Sequence, residues 1–331
     1  MTLDLIGDSA ERLFSQHRPG LTSDADALWR AVDEAGYPLG LLTENEGGFG
    51  LSPAEALIPL RIAARHGAAV PLAETMAANW LLAHAGLPLA DGPAALAGPS
   101  GARVPWGRSL RILVTVRAEG DALRVTRIEA GCLPWRHGQN IADEPRDDAC
   151  ADLPPGNGAT LAMDLDVPQA LMAALRTQQL AGAMEAALAL SVRYAGERVQ
   201  FGRPIGKFQV IQQYLAAMAD EVAAAGAAAG MAALALPQAA GDGRSFVLLA
   251  GAAKLRAGEA AGRVADLAHQ IHGAIGFSQE YPLHPLTRRL WSWRDEDGAE
   301  RLWAEKLGAA LLERRDGGLW PQVTALQSEF F

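Results

Sequence analysis

The second half of this chain repeats one pattern: long stretches with an apolar residue every three or four positions, separated by short turns. Asp166 and Pro168 open a segment that runs through Met172, Leu175, Leu180, Met184 and Leu188 towards Gly202. A second, from near Pro204, carries Phe208, Ile211, Leu215, Met218 and Val222. A third spans about Ser245 to His272, and a fourth about Ala299 to Leu312. An apolar stripe at that spacing must be covered by another element. Consecutive long helices joined by short turns cover one another antiparallel. The expectation is therefore a C-terminal antiparallel four-helix bundle over residues 165–331.

The first 96 residues read as an N-terminal helical domain of short helices. Asp24 to Gly36 places Leu28, Trp29 and Val32 at helical spacing, and Gly36 suits a stop. Ser52-Pro53-Ala54-Glu55 is a capping box with Pro at the first helical position, opening a helix to about His66. A further helix is expected from Leu72 to Ala85. Residues 97–164 differ. Alternation from Leu110 to Val116, a turn at Glu119-Gly120-Asp121 and resumption at Leu123 to Val125 signal a hairpin. Trp135 to Gly158 is rich in Pro, Gly, Asp and Arg and shows little patterning. This is a reduced middle β region, and because a lone hairpin is marginal it must lean on the helices. The fold class is mainly α.

Composition narrows the function. Net charge is −9, from 29 Lys plus Arg against 38 Asp plus Glu, which argues against nucleic acid or an anionic membrane as partner. The longest uncharged run, Val222 to Leu236, falls short of the roughly 20 residues needed to span a bilayer. It reads as a close-packed buried helix, with no membrane insertion. The start, MTLDLIGDSAERLF, lacks the basic and apolar regions of a signal peptide. Cys132 and Cys150 form no CxxC, which suits two free thiols in a reducing cytoplasm.

HExxH, GxSxG, GxxxxGK and a strand-to-helix GxGxxG are all absent. His269 and His272 lie three apart without a supporting carboxylate or Cys pair, so a structural role is expected and no metal site. Two dense segments remain: Arg198 to Gln209, RVQFGRPIGKFQ, and Gln270 to Pro282, QIHGAIGFSQEYP. Each puts amides and Gly backbone at a helix end, where N–H groups can approach an oxygen-rich ligand. Arg198 adds a planar fork suited to a diphosphate. Each segment alone could equally be an ordinary turn; together they suggest an anionic, planar ligand.

The stretch Ala186 to Ala219 resembles the flavin-binding signature of the acyl-CoA dehydrogenase family. Gln270 to Pro282 resembles that family's second signature, and Thr43 to Gly50, TENEGGFG, its N-terminal Gly-rich loop. The resemblance covers about three quarters of the chain. It implies FAD held across a dimer interface and an acyl-CoA thioester as substrate. A carboxylate would remove the α-proton while the flavin takes the β-hydride. Matched by position, Arg198, Gln200, Phe201 and Gln209 fall on FAD contacts, the first three reaching a neighbouring subunit's cofactor. Gln270, Gly273 and Ala274 fall on the stretch around the pyrophosphate, Ala274 standing where Gly is usual.

Departures bear on catalysis. The family's flavin-ring loop is missing from Gly98 to Arg108, GPSGARVPWGR. Asp297 falls on the catalytic Glu position, with Ala299 in place of a Thr. The family's alternative base position falls near Met172 and Ala173, which carry no carboxylate. Asp297 is the candidate base, but its oxygens sit about 1.5 Å further back than those of Glu. A misplacement of roughly 1 Å can cost on the order of 100-fold in rate. The alternative is that Asp295-Glu296-Asp297 is a solvated acidic turn. Two assemblies follow from the resemblance: a homo-oligomer, or an α2β2 heterotetramer in which this chain is the shorter subunit. In the latter it completes the FAD site of a full-length acyl-CoA dehydrogenase partner.

Overall fold

The computed structural model describes residues 2–16, 25–150, 152–236 and 243–313. The expected helix start at Asp24 and the C-terminal stretch beyond 313 lie outside them. The N-terminal helices are α1 (Thr2–Gln16), α2 (Ala25–Glu34), α3 (Pro53–Ala56), α4 (Ile58–Arg65) and α5 (Leu72–His84). Gly36 sits just past α2 in the left-handed region at φ 73°, a conformation that costs Gly little. The Ser52 capping box forms as read, with Glu55 reaching back to the Ser52 amide. The helix it opens is interrupted at Leu57, before reaching His66. Pro59 explains the break, since it has no N–H to give the carbonyl four residues back and its ring crowds it.

The middle region is more than a hairpin. Strands β1 (Ala94–Ala97), β2 (Val104–Pro105), β3 (Ile112–Glu119), β4 (Ala122–Glu129), β5 (Trp135–Arg136), β6 (Arg146–Ala149) and β7 (Asn157–Leu161) form two sheets. One has the order β1-β3-β4-β7 and the other β2-β6-β5. The predicted hairpin is β3–β4, with Gly120 at φ 63° in its turn. Parallel β1 and antiparallel β7 flank it. The short strands of the unpatterned stretch are pinned by a side chain rather than by alternation. Asp147, fully buried, accepts from the Arg108 Nε at 2.9 Å and the Arg108 amide at 2.8 Å.

The C-terminal region begins with α6 (Val167–Glu197), followed by the small hairpin β8 (Val199–Gln200) and β9 (Arg203–Pro204). Then come α7 (Gln209–Leu234), α8 (Arg244–His272), α9 (Leu283–Asp295) and α10 (Glu300–Glu313). Helices α6, α7 and α8 pack on one another, and α9 packs on α6 and α8. The fourth bundle helix is therefore α9, which the sequence reading passed over. The segment near 299–312 is a fifth helix, on α8. The second bundle helix starts at Gln209 rather than near Pro204, because the hairpin and a 3-10 turn at Ile205–Lys207 occupy the intervening residues.

Helix α7 also differs from the buried helix expected of Val222 to Leu236. Met218, Val222, Ala225, Ala229, Ala232 and Ala233 are buried, but the opposite face is open. By length and composition α7 is long enough to cross a membrane, and 28% of its apolar window is buried.

Packing is tight where α4 crosses α6. A Cβ on Gly182 would lie 2.1 Å from the Arg61 carbonyl oxygen, whereas one on Gly230 of α7 would meet nothing within 4 Å. Overpacking of this kind costs about 1–3 kcal/mol, and Gly to Ala in an open helix gains about 1 kcal/mol. Gly182→Ala should lower the urea midpoint and Gly230→Ala should raise it; equal shifts in denaturant titrations would contradict this packing.

Candidate functional site

Two places carry the residues singled out from the sequence, and they lie far apart. The first is the end of the bundle where α6 stops, α7 starts and α8 stops. Arg198 caps α6, Gln200 lies in β8 and Gln209 is the first residue of α7. Gln270 is in the last turn of α8, Gly273 caps it and Ala274 follows in a 3-10 turn. Tyr194 of α6 stacks on His272 of α8 at 4.5 Å, which ties the two segments together. Arg198, Gln200, Phe201, Gln209, Gln270, Gly273 and Ala274 are all exposed.

Phe201 is 91% exposed and held at φ 53°. Positive φ is strained for a bulky side chain, and such strain clusters at functional sites. Among the described residues, the side chains of Arg198, Gln200, Gln209 and Gln270 have no hydrogen-bond partner. Gly273 is at φ 62°, and a Cβ there would meet nothing within 4 Å. An unpaired guanidinium, free amides and open Gly backbone fit an anionic cofactor such as the FAD diphosphate. His269 and His272 are internal instead. His269 stacks on Phe277 at 4.0 Å and bonds Thr287 at 2.9 Å, while His272 Nδ1 lies 2.8 Å from the Ala268 carbonyl.

The second place is a cleft of about 1020 Å³ between the β region, the first half of α6 and the turn after α9. Leu96, Val116, Leu123, Leu165 and Met172 give it apolar walls. Its floor is ionic. Arg176 of α6, 2% exposed, donates from Nε to Asp297 Oδ2 at 2.9 Å and from Nη2 to Glu74 Oε1 at 3.0 Å. Its Nη1 donates to Gln179 Oε1 at 2.6 Å. Arg146 of β6 forks onto Glu296, Nε to Oε1 at 3.0 Å and Nη2 to Oε2 at 2.6 Å. Asn140 and Ser292 also donate to Glu296. Behind them buried Glu144 accepts from Arg289 Nε at 3.0 Å and Trp293 Nε1 at 2.8 Å.

These bonds fix charge states. Burial works against ionisation of Glu296, yet Arg176 and Arg146 outweigh it and hold its pKa at about 2. Burial also opposes Glu144, and Arg289 and Arg146 again win, lowering it. For Glu74 burial dominates and pushes the carboxyl up, with Arg176 only partly offsetting it.

The turn itself is caged. Buried Lys254 Nζ bonds the Arg294 and Gly298 carbonyls at 2.7 and 2.9 Å, and Trp303 Nε1 donates to the Asp297 carbonyl at 3.1 Å. Burial lowers the Lys254 pKa to about 8, with Asp297 partly opposing the fall. Asp295-Glu296-Asp297 is thus not a solvated acidic turn: Glu296 and Asp297 are locked to buried guanidiniums.

Sequence reasoning therefore found Asp297 but missed what it touches. Arg176 had a signal: it is a lone charge directly after the apolar and small run from Leu171 to Leu175 on one buried helix. Glu144 and Arg146 had none, since their stretch shows no period. Along α6, the rise per residue separates Arg176 from Arg198 by roughly 30 Å. One chain therefore cannot bring its own cleft and its own bundle end to the same reacting atoms.

Residues 165–312 match the family model described as "Acyl-CoA dehydrogenase, C-terminal domain". Acyl-CoA dehydrogenase IpdE2 of Mycobacterium tuberculosis is 31% identical over 287 residues, covering 82% of this chain and 83% of that protein. Acryloyl-CoA reductase (NADH) of Anaerotignum propionicum is 44% identical over 110 residues. That match spans 33% of this chain but 27% of the relative. The structure of butyryl-CoA dehydrogenase from Megasphaera elsdenii aligns with a TM-score of 0.78 at 20% identity, covering 94% of this chain and 98% of the other. The ChsE4-ChsE5 complex from Mycobacterium tuberculosis aligns at 0.83 and 19% identity, covering 95% and 98%. On the IpdE2 match along most of both chains, together with the C-terminal family model, the chain belongs to the acyl-CoA dehydrogenase family.

Proposed function

We propose that this chain is a subunit of an FAD-dependent acyl-CoA dehydrogenase, giving its bundle end to the cofactor of a neighbouring subunit. The observation that carries this is the exposed, unpartnered set at Arg198, Gln200, Gln209 and Gln270, beside the open Gly273, roughly 30 Å from the chain's own cleft. Bound FAD would supply the acceptor for the β-hydride of the acyl-CoA thioester. Arg198 would fork onto its diphosphate, Gln200, Gln209 and Gln270 would donate amide N–H groups, and Gly273 would leave room for the backbone to approach. Free Cys132 and Cys150 suit the cytoplasm.

A general base needs a carboxylate free to accept a proton at the working pH. Glu296 is held too acidic by two guanidiniums, and the Asp297 carboxylate is engaged by Arg176 Nε. Asp297 keeps its place as the sequence-matched base, but Arg176 must release it before it can act. That favours a division of labour: this chain as the shorter subunit of a heterotetramer, with a full-length acyl-CoA dehydrogenase supplying the base and flavin-ring contacts.

Three outcomes test this reading. Charge-assisted bonds contribute roughly 1.5–3 kcal/mol each, so Arg198→Ala should weaken FAD retention about 10- to 100-fold in the assembled protein. Unchanged flavin content after dialysis would remove Arg198 from the site.

The isolated chain should reduce flavin slowly or not at all with a saturated acyl-CoA. Coexpression with a full-length homologue should give one FAD per pair of chains by mass measurement and absorbance. A fully active homo-oligomer with one flavin per chain, silenced by Asp297→Asn, would instead make Asp297 a working base.

The depressed Glu296 pKa sets an acid limb. The folded pKa lies below the unfolded one, so its contribution is complete above about pH 4.5 and drains as pH falls towards 2. The amount is on the order of 3 kcal/mol. Glu296→Gln should be less stable at pH 7 and should flatten that limb in thermal melts between pH 5 and pH 2. An acid limb of wild-type slope in the variant would show that Glu296 does not carry it.

A further inference from the structure

We propose that Tyr194 is a positioning residue for the cofactor, a role that rests on the FAD reading above. With His272 and Tyr281 it forms a three-ring strut that sets the distance between the Arg198 and Gln270 segments. Tyr194 of α6 stacks on His272 of α8, ring centroids 4.5 Å apart and planes 24° from parallel. Tyr281, just before α9, meets Tyr194 edge-on at 6.0 Å and His272 at 5.1 Å. Arg193 donates to the Tyr281 hydroxyl and so closes the cluster back onto α6. The strut is wired to the cofactor residues through short stretches of backbone. The Arg198 amide donates to the Tyr194 carbonyl at 2.8 Å, and the Arg198 carbonyl accepts from the Ile205 amide at 2.8 Å. On the other side His272 directly precedes Gly273, whose amide donates to the His269 carbonyl. Where the Tyr194 ring goes, the Arg198 guanidinium follows, measured from Gln270 and Gly273.

Nothing else at this end of the bundle grips as firmly. Ala187 and Ala195 of α6 share a buried cluster with Ala261, Ala265 and Ala268 of α8. Methyl groups let two helices run close, but each makes few contacts. An aromatic pair adds both area and a preferred geometry. The pair stands near the ends of both helices, where fraying begins. His272 is itself held, 4% exposed, with Nδ1 donating to the Ala268 carbonyl at 2.8 Å. The Tyr194 hydroxyl has no hydrogen-bond partner among the described residues, so the ring and not the hydroxyl makes the strut. Tyr194 is half-buried among these rings. It therefore acts on a bound diphosphate through Arg198 rather than by touching it.

The test is titration of FAD into the flavin-stripped assembled protein, followed by the change in flavin fluorescence. Tyr194→Leu keeps an apolar side chain but removes the ring, and should bind FAD about three- to tenfold more weakly. Tyr194→Phe should bind as the wild type does. Leu180→Ala, fully buried further back on α6, should lower the melting temperature and leave FAD affinity unchanged. Tyr194→Leu combined with Arg198→Ala should bind within about twofold of Arg198→Ala alone, because the ring acts through the guanidinium. Wild-type affinity in Tyr194→Leu overturns the strut. So does a loss in Tyr194→Phe or Leu180→Ala equal to that in Tyr194→Leu, or full multiplication of the two losses in the double variant. If Arg198→Ala also binds FAD as the wild type does, the FAD reading falls too; if it binds more weakly, only the strut falls. Should Tyr194→Leu not assemble, His272→Leu is measured in its place. Failure of both to assemble makes the cluster part of the fold and overturns its positioning role.

Discussion

The guanidinium of Arg176, buried inside α6, sets the terms for everything around the cleft. Removing such a charge from water costs several kcal/mol even after relaxation, and the cost is met only by well-placed counterions. Burial works against the charge, but Asp297 and Glu74 outweigh it and push the Arg176 pKa up. Those partners come from different regions: Glu74 from α5, Gln179 from α6 itself, and Glu296 and Asp297 from the turn after α9. Glu296 passes the link on to Arg146 of the β region. One side chain therefore holds the N-terminal helices, the β region and the bundle in register.

The turn that presents Asp297 is shaped to meet this demand. Asp297 itself is at φ 58° and Gly298 at φ 101°, and a Cβ on Gly298 would fall 2.4 Å from the Trp303 ring nitrogen. Gly251 of α8 likewise leaves room for the Trp303 ring, and Gly258 for the Glu300 carboxylate. Lys254 then bridges two carbonyls across the turn. A backbone this constrained fixes where the carboxylate sits, and it sits on Arg176. The geometry that makes the turn rigid is the same geometry that keeps Asp297 from being a free base.

Much of the fold could be read from the chain because its signals are local. The α2 stop at Gly36, the Ser52 capping box and the β3–β4 hairpin each depend on residues within a few positions of one another. What escaped depends on distance. Helix α9 was hidden because its half-buried Arg288 and its buried Arg289, Ser292 and Trp293 mix charge with apolar surface, blurring the stripe. Buried Arg289 reads as a surface residue until Glu144, 145 positions earlier, is seen opposite it. The exposed polar set near Arg198 and Gln270 was legible because short segments at helix ends carry it. The ionic floor was not, because it is assembled from four separate stretches.

The network's energetics explain what such a floor does. Buried ion pairs are weak sources of net stability, and replacing a whole set by apolar groups can be neutral or stabilising. Removing one member, however, strands the others and costs about 3–5 kcal/mol. The Arg176 and Arg146 set therefore makes three regions fail or hold together, with little gained over a greasy core. It does so at the inner end of a cleft with apolar walls. Glu296 shows how tightly the set closes on itself, bonded at once by Arg146, Asn140 and Ser292.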